Sequence, residues 1–161
     1  MLQTSVILTV KNEVGSIGRL LDSLLAQERR PEEIIIVDGG STDGTVEAIR
    51  TYQGRLPIKI LVREGCNISQ GRNAAIAEAQ GEIIASTDAG VRLSPHWLRD
   101  LVTPFEKEGA VDMVGGFFLP DPRSTFEIAL GATVLPALAD VDPQQFLPSS
   151  RSLAFKKEIW E

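Results

Sequence analysis

Apolar residues follow two different periods along the first two thirds of the chain. Short apolar, β-branched runs at Val6–Val10, Ile34–Val37, Ile58–Val62 and from Glu82 to about Thr87 are bounded by polar or glycine-bearing turns, which predicts strands. Between them the period lengthens. Ile17, Leu20, Leu21, Leu24 and Leu25 fall at i, i+3, i+4, i+7 and i+8, one apolar helical face, with Ser16 placed to cap it and Pro31 to end the segment. A turn at Gly39–Gly44 leads into a helix carrying Val46, Ile49 and Tyr52. Asn67 or Ser69 is positioned to cap an alanine-rich helix that Gly81 closes. Ser94-Pro95 predicts a cap followed by proline at the first helical position, ahead of Trp97, Leu98, Leu101, Val102 and Phe105. Val111–Leu119 reads as a fifth strand. Residues 120–150 contain five prolines and no clean period, and are expected to form a lid or an irregular excursion.

Strand–helix alternation, repeated four times and closed by a strand, predicts an α/β fold with a doubly wound, mainly parallel sheet and helices on both faces. The run Ile34–Val37 is apolar on both faces, as a buried parallel strand must be. In such sheets ligands bind beyond the carboxyl ends of the strands. Three polar clusters fall there: Thr9-Val10-Lys11-Asn12-Glu13, Asp38 through Thr45, and Thr87-Asp88-Ala89-Gly90. An aspartate after a strand is by itself an ordinary turn former. Three such clusters on one rim, two with glycines beside them, point to a ligand, and the chemistry suits a nucleotide. Carboxylates accept from base N–H groups or ribose hydroxyls, glycines admit close approach, and helix N-termini at Ser41–Thr45 and near Ser69 face anionic oxygens. No GxGxxG follows the first strand and no GxxxxGK[ST] occurs, which argues against Rossmann dinucleotide binding and P-loop chemistry.

Composition narrows the classes. The 161 residues fit one domain, spanning 1–161, that needs no covalent staples. A net charge of −6 without a basic stripe excludes nucleic acid as the main partner. The lone cysteine, Cys66, has no partner for a disulfide, fits a reducing compartment and lacks a histidine base; it reads as structural. His96, the one histidine, reads as surface or packing. Trp97 and Phe105 read as core, Phe117 and Phe118 as core with contact to an acceptor the alternative, and Lys156-Lys157 as a solvated face. No leader peptide is expected from the first ten residues, and the weakly polar stretch Phe126–Ala139 is too short to span a bilayer. The end, Lys156–Glu161, reads as an uncapped helix start, so the chain is expected to be truncated, with 1–119 a regular core and 120–161 the start of an acceptor-side region.

The residues also resemble a known family. Asn12-Glu13, Ile35-Ile36-Val37-Asp38-Gly39-Gly40-Ser41-Thr42-Asp43-Gly44-Thr45, Gly71-Arg72-Asn73-Ala74-Ala75 and Gly81–Asp88 resemble, in order, four motifs of the family 2 glycosyltransferases, over about residues 4–119. The resemblance implies their GT-A fold, a Rossmann-like, mainly parallel sheet. It implies a site in which Thr9 and Val10 line the base pocket through backbone, and Asn12, Glu13 and Asp38 approach the nucleoside. Asp38 would be the partner of the base. Gly40 and Ser41 would also contact the nucleotide sugar, Arg72 would lie near the diphosphate or base, and Asp88-Ala89-Gly90 would bind it at the family's DXD motif. Two positions depart from the pattern: Gly39 replaces an acid, and Gly90 replaces the acid that ordinarily binds the divalent cation. Mg²⁺ or Mn²⁺ would then rest on Asp88 alone, or Lys11, Arg72 or Arg92 would neutralise the diphosphate.

The implied activity is inverting transfer of a sugar from a UDP- or GDP-linked donor to a carbohydrate, lipid or protein acceptor. Its base would lie beyond residue 161, with Asp121, Asp140 and Asp142 the candidates within the chain. The implied location is cytoplasmic, at the inner face of a membrane where a longer protein carries later membrane segments. Two rivals are a nucleotidyltransferase that makes nucleotide sugars, which wants a glycine-rich basic loop where Lys11-Asn12-Glu13-Val14 stands, and a non-catalytic sugar-nucleotide-binding module.

Overall fold

The structure, a computed structural model, describes residues 2–107, 111–122, 124–134, 138–142 and 145–160; Pro136, Pro143 and Glu161, which entered the reading above, lie outside them. Strands β1 (Thr4–Val10), β2 (Glu33–Asp38), β3 (Ile58–Val62), β4 (Ile83–Ser86), β5 (Met113–Gly115) and β6 (Leu153–Lys156) form one sheet in the order β3-β2-β1-β4-β6-β5. β1 to β4 run parallel, with Val6 opposite Ile34 and Ala85. β6 is antiparallel to both β4 and β5. The helices are α1 (Ile17–Leu25), α2 (Thr45–Arg50), α3 (Ile68–Glu78), α4 (Trp97–Lys107) and α5 (Thr125–Val134).

Side chains of a strand point alternately to opposite faces, and β1 and β2 are apolar on both. Val6, Leu8, Val10, Ile34 and Ile36 join Ile17, Leu20, Leu21, Leu24, Ile49, Leu98 and Val102 in one core, under α1, α2 and α4. Ile7, Ile35, Val37 and Ile84 pack against Ala75, Ile76 and Ala79 on the other face, under α3. Each fully buried Leu or Ile contributes on the order of 1.5–3 kcal/mol. Trp97 and Phe105 belong to the first core. Among the described residues no helix is long and apolar enough to cross a membrane.

The second half departs from the sequence reading. The fifth strand is three residues long, because beyond Gly115 the chain turns away to wall a cleft. The stretch 120–150 holds α5, a helix whose sequence is mostly apolar with Glu127 its one charge, and therefore without the 3.6-residue contrast that marks an amphipathic one. Lys156–Trp160 does not open an α-helix: Leu153–Lys156 is β6, followed by a single 3-10 turn at Lys157–Ile159; Glu161 lies outside the described residues. Lys156 pairs with Asp112 at 2.8 Å and Lys157 Nζ donates to the Ala79 carbonyl, so neither is merely solvated. Phe117 and Phe118 lie outside both cores, their rings 6.2 Å apart. α4 begins at Trp97 rather than at Pro95, and the Ser94 carbonyl accepts from Trp97 N–H.

Candidate functional site

Strand order reverses between β1 and β4, since β2 and β3 lie on one side of β1 and the rest of the sheet on the other. At such a switch point the loops leaving neighbouring strands diverge and open a crevice. A cleft of ≈ 680 Å³ lies there, lined by Thr9, Val10, Lys11 and Glu13 of the β1 end, Gly39 after β2, Cys66–Ser69 at the start of α3, and Asp88, Ala89 and Gly90 after β4. Thr9, Val10, Glu13, Asp88, Ala89 and Gly90 from the sequence prediction thus share one wall system. Asn12, Asp38, Gly40, Ser41 and Arg72 do not line it; they form its supports.

The supports have a physical logic. Asp38 is 1% exposed, and its carboxylate accepts from the N–H groups of Gly40 and Ser41 at 2.9 Å and from the Ser41 hydroxyl. Gly40 adopts φ +91°, a left-handed conformation that glycine takes without strain. Asn12, at φ 56°, donates its backbone N–H to Ser41 Oγ at 2.8 Å and accepts from Thr42 N–H through Oδ1 at 2.9 Å. Glu13 N–H reaches Thr45 Oγ1 and Val14 N–H reaches Asp43. The Thr45 hydroxyl and backbone N–H bonds hold the Asp43 carboxyl below its ordinary value, the hydroxyl foremost. The β1 and β2 ends are therefore laced into one unit. Ser16 occupies the N-cap position of α1, but its hydroxyl bonds the Glu13 side chain instead of a helix N–H.

α3 supplies the opposite wall. Asn67 caps it reciprocally with Gln70, each side chain bonding the other's backbone N–H at 2.9–3.0 Å. Its approach depends on Gly71, where a Cβ would stand 2.3 Å from Thr9 Cγ2 and 3.5 Å from Cys66 Sγ. Cys66 packs with the α3-side core, and His96 is a surface residue 3.0 Å from Glu28.

A second cleft adjoins the first at Gly90. Its walls include Arg19, Arg92, Trp97, Phe117–Asp121, Glu127 and Arg151. Asp88 stands where the two meet, and both of its oxygens are engaged. Oδ1 accepts from Arg72 Nη2 at 2.7 Å, and Oδ2 lies 3.5 Å from Arg151 Nε. Arg151, absent from the sequence prediction, also lies over the Phe118 ring, 5.5 Å from its centroid. Arg92 instead pairs with Asp121 at 3.0 Å, which holds the guanidinium above its ordinary value.

This donor set does not suit a divalent cation held by the protein. Magnesium and calcium take oxygen ligands at about 2.0–2.6 Å. Asp88 faces two guanidiniums that repel a cation, Gly90 supplies no carboxylate, and among the described residues no three His, Cys, Asp or Glu side chains group as ligands. Arg72 Nε, by contrast, is buried with no acceptor among the described residues.

The sequence profile of glycosyl transferase family 2 matches residues 5–135. A glycosyltransferase of Nostoc sp. is 30% identical over 169 aligned residues, covering 99% of this chain and 52% of its own length. Validoxylamine A glucosyltransferase of Streptomyces hygroscopicus subsp. limoneus is 30% identical over 125 residues, 74% of this chain and 28% of its own. The chain thus spans about half, or less, of the curated relatives it matches. Among solved structures, TarS of Staphylococcus aureus in complex with UDP superposes with a TM-score of 0.62 at 28% identity, over 73% of this chain and 38% of that one. The mannosyltransferase PcManGT of Pyrobaculum calidifontis, in complex with GDP-Man and Mn²⁺, reaches a TM-score of 0.76 at 24% identity, over 98% of this chain and 45% of that one.

Proposed function

The chain belongs to glycosyl transferase family 2, and from that membership we propose that it seats a nucleotide-sugar donor in the first cleft and offers the sugar to an acceptor entering by the second. The observation that carries this reading is that the two clefts meet at Gly90, beside Asp88. A donor with its base toward Thr9, Val10 and Glu13 brings its diphosphate to Asp88–Gly90 and its anomeric carbon to the opening of the second cleft. The capped N-terminus of α3 turns unpaired N–H groups toward the anionic oxygens. TarS, at 28% identity, is known in complex with UDP and with UDP-GlcNAc, which makes UDP the first nucleotide to try.

Transfer is a direct displacement with inversion. The acceptor oxygen bonds the anomeric carbon as the bond to the diphosphate oxygen breaks. The electron pair leaves with the nucleoside diphosphate, and the acceptor proton passes to a carboxylate. Asp121 lines the second cleft, but its pairing with Arg92 weakens it as a base. Asp140 and Asp142 do not line either cleft. We place the base in residues beyond 161, in keeping with the greater length of the relatives.

A thermal-shift panel of UDP, GDP and their sugars tests the donor site. A nucleotide at 100 times its Kd should stabilise the fold by about 2.7 kcal/mol. A shift with one nucleoside diphosphate is expected; a panel without any shift overturns the reading.

A further inference from the structure

We propose that Arg151 does the work of the missing metal ligand: the donor's diphosphate is neutralised by a guanidinium clamp on Asp88, and nucleotide binding is independent of divalent cations. The proposal rests on the donor reading above.

Three observations carry it. First, Asp88 is bridged by cations from two elements, Arg72 on α3 and Arg151 ahead of β6. Second, the two cations differ in access. Arg72 is mostly buried behind the carboxylate, whereas Arg151 is 53% exposed in its side chain and stands in the wall of the cleft that begins at Gly90. Its acidic partner among the described residues is Asp88, met through Nε at 3.5 Å. A guanidinium presents a planar fork that suits phosphate oxygens. Third, nothing in the backbone forbids an acid at position 90. A Cβ on Gly90 meets no atom within 4 Å, and its φ is not left-handed. Glycine there is no steric necessity, so an aspartate would fit where a cation ligand is lacking.

The geometry divides the labour. Arg72 holds Asp88 from behind and is a positioning residue. Asp88 orients Arg151, and Phe118 carries the flat face of that guanidinium. Lys11, on the first cleft's wall, adds a second positive charge toward the same oxygens. A divalent cation on Asp88 would have to displace Arg151 and would then sit beside Arg72.

The test is UDP affinity by calorimetry, or GDP affinity if the panel selects it, in EDTA and in excess Mg²⁺ or Mn²⁺. The wild-type chain and Arg151→Gln, Arg151→Lys, Gly90→Asp and the Gly90→Asp/Arg151→Gln pair are compared, with circular dichroism of each variant. Wild-type affinity should differ less than about twofold between the two conditions. Arg151→Gln should weaken binding about tenfold or more, the cost of a charge-assisted hydrogen bond to phosphate, and Arg151→Lys should recover part of it. In the double variant Mn²⁺ should restore much of the lost affinity. Wild-type binding that weakens more than about tenfold in EDTA, or a folded Arg151→Gln chain with unchanged affinity, overturns the proposal and leaves the donor reading standing. Absence of nucleotide binding in both conditions removes both.

Discussion

The first cleft is walled by loops that leave parallel strands and lace to one another through Asn12, Ser41, Thr45 and Asp43. The second is walled by the loop after β4, the run Phe117–Asp121 beyond the short β5, and the segment before β6. The first stands over strands buried on both faces. Around the second, apolar side chains remain in solvent, Phe126 at 74% and Leu147 at 89% exposure. A cleft over a laced, two-sided core thus adjoins a looser surface, which fits the proposed division between a donor site and an acceptor entrance.

The two regions differ most in their cores. Ile36 is fully buried between β1 and β3, so Ile36→Ala should cost about 2–5 kcal/mol in urea unfolding. Phe126→Ser, in the exposed second region, should stay within about 0.5 kcal/mol. Equal losses would mean that the two regions are one cooperative core. A narrower cut falls at Gly71. Gly71→Ala drives a methyl against Thr9 and should cost about 1–3 kcal/mol. It should also weaken nucleotide binding, because α3 must retreat from the cleft; unchanged affinity would mean that α3 is not part of the donor wall. The smallest effect concerns the tie between regions. Trp97 Nε1–H donates to Ser152 Oγ at 3.0 Å, holding the approach to β6 against α4. Trp97→Phe should cost about 1 kcal/mol, read as a lowered melting temperature with nucleotide affinity retained.

Much of the first region was legible in the sequence. β3 was read to the residue, and β1, β2 and β4 to within about two residues at their ends, because local apolar runs and glycine turns mark them. Six of the eleven named site residues line the first cleft, and the others shape the turns and charges beneath it. The second region was far less legible. β6 is four residues long and gains strand geometry only by inserting between β4 and β5. Arg151 carried one clue, a polar Ser149-Ser150-Arg151-Ser152 tip before the apolar run Leu153-Ala154-Phe155. Nothing local says which carboxylate it meets.

The sequence by itself determined the alternation of strands and helices, the two-sided sheet core and the family. Each is encoded in periodicity or in contiguous motifs, where residues near in the chain are near in space. Only the tertiary structure decided that Asp38 turns inward to its own turn, and that Asp88 meets Arg72 from sixteen residues away and Arg151 from the approach to the neighbouring strand β6. Contacts of that range depend on strand order, which sets neighbours by packing and not by spacing.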